Sequence, residues 1–295
     1  MEKTLPPLRR IVAIHDLSGV GKCSLSVALP VISATGVECA CLPTAVLSTH
    51  TGEFTGYVME SLEDFMLPIA RHWKQENIPF DGIYTGYLAT PEQERQVEAV
   101  FDLLAGPEAM IVVDPVMADN GSYYANLGEE MCQAFRRLCR RAQVITPNIT
   151  EAALLAGVPY PTTPHTPERL QEILGALGAL GPRYVAVTGV HPSPEAIGNL
   201  LLDTQTQEVT WALRPTRPGL FYGTGDLFAS SLSALLVRGM ECKQAVQMAT
   251  DLVAGAIERT ALRPTPRRFG VDFEGVLPVY IQKVQKAFGQ EEGNC

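Results

Sequence analysis

Short apolar runs alternate along this chain with stretches of helical period. Ile11–Ile14, Val37–Leu42, Gly82–Thr85, Met110–Val113, Val144–Ile145 and Tyr184–Thr188 read as strands. Between them, Ser24–Thr35, Glu63–Gln75, Gln93–Leu104, Glu129–Arg141, Thr150–Ala156 and Pro167–Leu177 read as helices. Two short strands follow at Ile197–Asp203 and Glu208–Leu213, then two helices at Asp226–Val237 and Lys243–Thr260. Near-continuous apolar strands bounded by helices imply an α/β fold, a mostly parallel central sheet with helices on both faces. In such folds ligands bind beyond the carboxyl ends of the strands. Nearly every polar motif of this chain falls just after a strand. No internal repeat or linker divides the sequence, which predicts one domain over residues 1–295 with frayed ends at about 1–9 and 288–295. The Pro- and Thr-rich stretch Pro159–Pro167 is the clearest exposed loop.

Composition narrows the function classes. The net charge is −9 over 295 residues. General nucleic-acid and membrane-surface binders need a basic face, so neither partner is expected. Met1–Arg10 is short and polar without signal-peptide organisation, and no apolar run reaches the length of a membrane span. The seven cysteines include no Cys-x-x-Cys pair, and their odd number fits neither a disulfide framework nor a zinc site. Cys132 and Cys139 share one face of a predicted helix, as packing residues do. Reduced thiols in a cytoplasmic protein are the expectation.

The densest chemistry lies in Phe221–Arg238. There Gly223-Thr224-Gly225-Asp226 precedes an apolar helix rich in Ala, Ser and Leu. A helix start exposes unpaired N–H groups at the positive end of the dipole, and glycines let the backbone approach a ligand. That makes an anion hole suited to a phosphoryl group in flight. Asp226 stands where a carboxylate could take a proton from an attacking hydroxyl; an ordinary N-capping Asp is the plainer alternative. Asp114 follows an apolar strand, where a carboxylate can ligate a hard cation or merely start a turn. Glu151 is either a second such carboxylate or the acidic first turn of a helix opened by Thr150. Gly19-Val-Gly-Lys22-Cys23-Ser24 invites a P-loop reading. It fails that pattern at Asp16, where glycine is needed, and at Cys23, where Ser or Thr is needed.

Six blocks carry a resemblance. They are Ile14–Gly21, Pro43–Gly52, Tyr84–Tyr87, Val113–Gly121, Thr146–Glu151 and Gly223–Asp226. In order and spacing they resemble the ribokinase-like kinases, and among these the vitamin kinases acting on pyridoxal, pyridoxine and pyridoxamine. The likeness runs from about Arg10 to about Thr260. It implies phosphoryl transfer from ATP to a primary alcohol, a reaction of positioning and charge stabilisation. On that resemblance Asp226 is the general base, and Gly223, Thr224 and Gly225 form the anion hole. Asp114 and Glu151 lie near Mg²⁺, through water. Thr146, Asn148, Thr188 and Gly189 form the nucleotide side, and Thr146 and Thr188 match positions tied to K⁺ or Na⁺ in some relatives. Adenine would lie between 215–220 and 252–260. Asp16, Thr44, His50 and Tyr87 match the wall of the vitamin pocket.

Asp16 departs from the Ser common in pyridoxal kinases. A carboxylate there could accept from the ring nitrogen or pair with the amine of pyridoxamine, which predicts a preference for the amine form over the aldehyde. His50 has a plainer alternative, a loop histidine bonded to backbone. Tyr123 and Tyr124, beside the Asn120-Gly121 turn, match a flap over the phosphates. The resemblance also implies a homodimer. Asp16-Leu-Ser-Gly19 leans towards the hydroxymethylpyrimidine kinases of thiamine synthesis, a rival with the same fold and chemistry. A rival of another class is a non-catalytic relative that binds vitamin or nucleotide; the intact Gly223–Asp226, Asp114 and Glu151 argue against it.

Overall fold

In the computed structural model of the chain, which describes residues 7–125 and 127–289, one large sheet organises the molecule. Its strands and helices alternate in order: β1 (Arg10–Ser18), α1 (Leu25–Ala34), β2 (Glu38–Leu47), β3 (Met59–Ser61), α2 (Glu63–Gln75), β4 (Gly82–Thr85), α3 (Pro91–Leu104) and β5 (Met110–Val113). A small hairpin follows, β6 (Ala118–Asp119) and β7 (Ser122–Tyr123). Then come α4 (Glu129–Cys139), β8 (Val144–Ile145), α5 (Ile149–Ala156), α6 (Pro167–Gly178), β9 (Tyr184–Ser193), β10 (Ala196–Asp203) and β11 (Val209–Pro215). The chain closes with α7 (Thr224–Val237), α8 (Cys242–Ala261), a 3₁₀ turn at Arg267–Phe269 and α9 (Leu277–Ala287).

The nine-stranded sheet has the order β11-β10-β9-β8-β5-β4-β1-β2-β3. The six strands from β9 to β2 run parallel. β10 and β11 add an antiparallel flank at one edge, and β3 does so at the other. Alternate residues of each strand enter opposite cores. Val12 and Ile14 of β1 pack with α2 to α6, whereas Ile11 and Ala13 pack with α1, α7, α8 and α9. The α/β sheet with two helical layers matches the expected fold class. Among the described residues no helix is long and apolar enough to cross a membrane.

Three differences from the sequence reading shape the site. β1 and β2 run on past Ile14 and Leu42, so Asp16 and Thr44 sit on strands and not in loops. α7 begins at Thr224, two residues before Asp226. β3, the β6–β7 hairpin and α9 were not foreseen. Of the ends expected to fray, 1–6 and 290–295 lie outside the described residues. Arg9 is held by Asp81, and Phe288 lies 4.0 Å beneath the Arg238 guanidinium.

The chain leaves β1 towards β2 on one side and returns to β4 on the other. That reversal places a crevice at the carboxyl ends of β1 and β4, where doubly wound sheets bind ligands.

Candidate active site

α7 starts from Gly223, whose φ of 79° is left-handed. A Cβ there would come within 1.9 Å of the Lys22 carbonyl oxygen, so the turn needs glycine twice over. The first N–H groups of the helix have no intrahelical acceptor, and Gly223, Thr224 and Gly225 all line the cleft beside it. Asp226 is the third residue of α7 and makes no cap bond. This disposes of the N-cap alternative. Its Oδ1 lies 3.0 Å from His15 Nε2, and its Oδ2 accepts the Ser24 N–H at 2.9 Å. Burial pushes this carboxyl upward, but the His15 ring and the Ser24 N–H outweigh burial and hold it below its ordinary range. Ser24 achieves its bond at φ 57° and ψ −138°. That backbone is strained for a residue with a side chain, and such strain gathers at functional sites.

His15, at the carboxyl end of β1, is 1 % exposed. Its Nδ1 lies 2.9 Å from Asp16 Oδ1. The backbone N–H groups of Asp16 and Tyr87 also approach Nδ1, at 3.0 and 3.3 Å, as they would an unprotonated nitrogen. Burial disfavours the imidazolium, yet the carboxylates on both sides dominate, and the ring is raised to about 10. Both carboxylates thus favour the protonated ring.

Across the cleft, Asp114 follows β5 and accepts from Thr146 Oγ1 at 2.9 Å. Burial first, and then the charge of Asp226, push its carboxyl up to about 7. Glu151 is the third residue of α5. Its Oε2 accepts the Asn148 N–H at 2.8 Å and its Oε1 accepts the Met117 N–H at 3.0 Å. Burial, and then Asp114, push it well upward. The cap of α5 is Asn148 and not a threonine: Asn148 Oδ1 accepts from Thr150 and Glu151, and Nδ2 donates to Ala118 at 2.8 Å. Thr188 bridges to Asn148 from β9, and Gly189 follows at φ 69°.

A cleft of about 600 Å³ gathers these groups. All ten residues predicted for base, anion hole, nucleotide and metal line it: Asp114, Thr146, Asn148, Glu151, Thr188, Gly189 and Gly223 to Asp226. Segment 215–220 and Val253, Ala254 and Ile257 of α8 form a further wall. Asn120 and Gly121, at φ 50° and 79°, make the expected turn, which here joins β6 to β7. Of its tyrosines only Tyr124 lines the cleft, since the Tyr123 hydroxyl donates to Glu129. Among the described residues no three His, Cys, Asp or Glu side chains come together as a metal site. Asp114 and Glu151, which line the same cleft as Asp226, are buried carboxyls pushed towards their protonated forms. They suit a hydrated hard cation held through water.

The four vitamin-pocket residues do not line this cleft. The side chains of Asp16, Thr44 and His50 are already bonded to protein. Asp16 is shared between His15 and the Ser18 hydroxyl, at 3.2 Å. This removes the support that a free Asp16 lent to a preference for pyridoxamine. Thr44 donates to the Tyr87 carbonyl at 3.1 Å. Burial, and then Asp16, push the Tyr87 phenol up to about 12. His50 donates from Nε2 to the Arg268 carbonyl, while Nδ1 accepts the Gly52 N–H at 3.0 Å, so it is the backbone-bonded histidine of the plainer reading. Its ring packs 5.3 Å from Tyr222, tying this layer to the turn at Gly223. Lys22 extends to Glu274 at 2.7 Å, and the P-loop reading falls with it. Sequence reasoning missed His15, Ser24 and Tyr222. A histidine ending an otherwise apolar buried strand was the available signal, because buried polar groups need partners.

Comparison with known proteins gives the chain its place. Residues 27–270 match the family described as phosphomethylpyrimidine kinase. The chain is 29% identical over 265 residues to the pyridoxine/pyridoxal/pyridoxamine kinase of Bordetella bronchiseptica, covering 85% of this chain and 89% of that one. The crystal structure of Lactobacillus plantarum pyridoxal kinase, 32% identical, superposes with a TM-score of 0.86 over 95% of this chain and 99% of its own. A Bacteroides thetaiotaomicron protein, provisionally named a phosphomethylpyrimidine kinase and crystallised with pyridoxal, is 36% identical. It superposes with a TM-score of 0.87 over 93% of this chain and 96% of its own. Fold and comparisons together define a ribokinase-like kinase. The chain belongs to the phosphomethylpyrimidine kinase family and is similar to pyridoxal kinases.

Proposed function

We propose that this protein transfers the γ-phosphoryl group of MgATP to the 5′-hydroxymethyl group of a B6 vitamer, with Asp226 as general base. The observation that carries the reading is Asp226 itself. It is an ionised carboxylate, fixed at both oxygens, beside the free N–H groups of a glycine-opened helix and facing one cleft with Asp114 and Glu151. Asp226 accepts the proton of the substrate hydroxyl as its oxygen attacks phosphorus. The N–H groups of Gly223, Thr224 and Gly225 stabilise the charge that builds on the phosphoryl oxygens. Asp114 and Glu151 hold Mg²⁺ through water, and bound Mg²⁺ neutralises phosphate charge. Thr146, Asn148, Thr188 and Gly189 form the nucleotide side, with Thr146 and Thr188 nearest a K⁺ or Na⁺ ion. The apolar wall of α8 suits adenine. The reading includes a homodimer, as the resemblance implied, and a cytoplasmic location, as the cysteine pattern implied.

The family description favours a second reading, phosphorylation of hydroxymethylpyrimidine or its phosphate. One assay separates them: ADP release and product formation with pyridoxal, pyridoxine, pyridoxamine and hydroxymethylpyrimidine, in Mg²⁺ with K⁺ or Na⁺. Turnover on a B6 vitamer is expected. Turnover on the pyrimidine alone would transfer the same chemistry to thiamine synthesis. Asp226→Asn should lower kcat by about 10²- to 10⁴-fold, the usual contribution of a general base, while ATP still binds. A non-catalytic binder would show no turnover to lose.

A further inference from the structure

His15 joins two carboxylates whose partners are otherwise fixed. Asp16 is held on its far oxygen by Ser18, and Asp226 on its far oxygen by the strained Ser24 N–H. The ring fills a place built for it. A Cβ on Gly86 would come within 2.0 Å of a His15 ring carbon, so the residue directly after β4 is the one that lets the ring in. The result is a closed row, Ser18–Asp16–His15–Asp226–Ser24, leading from the sheet to the cleft. Of these residues only Asp226 reaches the cleft.

We propose that His15 is a positioning residue for Asp226, and that Asp16 orients His15 and does not contact the substrate ring. The inference rests on Asp226 as general base. The physical need is clear from the neighbours. Asp226 lines the cleft with Asp114, and burial favours its protonated form, which takes no proton. A cation 3.0 Å from one oxygen and an N–H on the other keep it ionised and fix its plane. The remaining lone pairs are left for the substrate hydroxyl. In the step itself, the hydroxyl proton moves to Asp226, the hydroxyl oxygen bonds phosphorus, and the bond from phosphorus to the ADP oxygen breaks. His15 takes no part in the proton transfer itself. The groups that bear on this ring are Asp16 on β1, Tyr84 on β4 and Asp226 on α7. Asp114, Cys23 and His50 act on the same carboxylates from further out.

The test is kcat and KM as functions of pH for wild type, His15→Leu, His15→Gln, Asp16→Asn and Asp226→Asn, with MgATP and the fastest substrate of the panel. His15→Leu should lower kcat by about 10- to 100-fold, part of what a general base supplies, and leave KM for ATP nearly unchanged. It should also move the acid limb of the kcat profile upward by about one pH unit, as loss of an adjacent cation does. His15→Gln can still donate to Asp226, so it should recover part of kcat but not the limb. Asp16→Asn should move the limb in the same direction by less. His15→Gln and Asp16→Asn carry the test if the leucine variant fails to fold. Wild-type limbs and wild-type kcat in those two variants, with Asp226→Asn inactive, would overturn the inference and leave the base reading standing. Full turnover in Asp226→Asn would overturn the base reading and the inference together.

Discussion

Two helices of this protein carry a carboxylate at the same position and use it in opposite ways. Glu151 and Asp226 are each the third residue of a helix that lines the cleft. In α5 the cap is Asn148, and Glu151 reaches back to its N–H at 2.8 Å to close a capping box. In α7 the cap is Gly223, which offers no side chain, and the shorter Asp226 turns away to His15 and Ser24. The first carboxylate is spent on holding a helix start in place. The second is released from that duty, and its helix start is left with free N–H groups. A glycine in place of an asparagine converts a structural corner into one fit for chemistry.

The largest effect expected from breaking this contrast is at Gly223. Gly223→Ala sets a Cβ 1.9 Å from a backbone oxygen at a φ of 79°, and backbone cannot swing aside as a side chain can. The turn must shift, and the N–H row shifts with it. Misplacing such donors should lower kcat by about 10²- to 10³-fold, and the strain should cost about 1–3 kcal/mol in urea unfolding. Gly225→Ala sharpens the point. A Cβ there meets nothing within 4 Å, so stability should hold while kcat falls, because the methyl group occupies space reserved for phosphate. A loss of stability with kcat intact would reverse the roles given to the two glycines.

Glu151 should respond as a cap first. Glu151→Ala leaves the N–H groups of Asn148 and Met117 without acceptors, a loss of about 1–3 kcal/mol. Gln also closes capping boxes, so Glu151→Gln should cost less than about 1 kcal/mol by the same measurement. The neighbouring Asp114 adds a pH signature. Its carboxyl rises from 3.8 to about 7 on folding, so the folded chain binds the extra proton between those values. Stability is then lost as pH climbs through that window. Metal-free wild type should lose stability relative to Asp114→Asn from about pH 4 to about pH 7, and Mg²⁺ should restore it. A gap that stays constant with pH would mean that Asp114 is not buried with unpaired charge.

How far this was legible in the sequence follows from how local each feature is. The parallel strands announced themselves as uninterrupted apolar runs, and the turn at Gly223 as glycines before a helix. The capping box was half read: Glu151 was placed in a first turn, but Thr150 and not Asn148 was taken as its opening. β3 has three residues, and α9 buries only Tyr280 and Val284, too narrow a stripe to stand out. The row behind the cleft was invisible for a different reason. His15 meets Asp226 across 211 residues, and Ser24 reaches it only through a backbone that no propensity predicts. Asp16 looked like a free carboxylate although its partners, His15 and Ser18, stand one and two residues away, because the sequence does not give the side-chain rotamers that join them.

The smallest effect sharpens the contrast from outside. Lys22 stands beside Gly223 in sequence-like P-loop dress, and its carbonyl forms the wall against Gly223. Its ammonium, however, lies on Glu274, with the side chains 33% and 54% exposed. Exposed ion pairs are worth at most about 1 kcal/mol, so Lys22→Ala should change stability and KM for ATP only slightly. A phosphate-binding lysine would lose far more, since nothing else in its loop replaces that charge. A large rise in KM for ATP in Lys22→Ala would mean that this side chain leaves Glu274 for the nucleotide. The anion site would then be a helix start aided by a lysine, and Gly223 alone would not account for it.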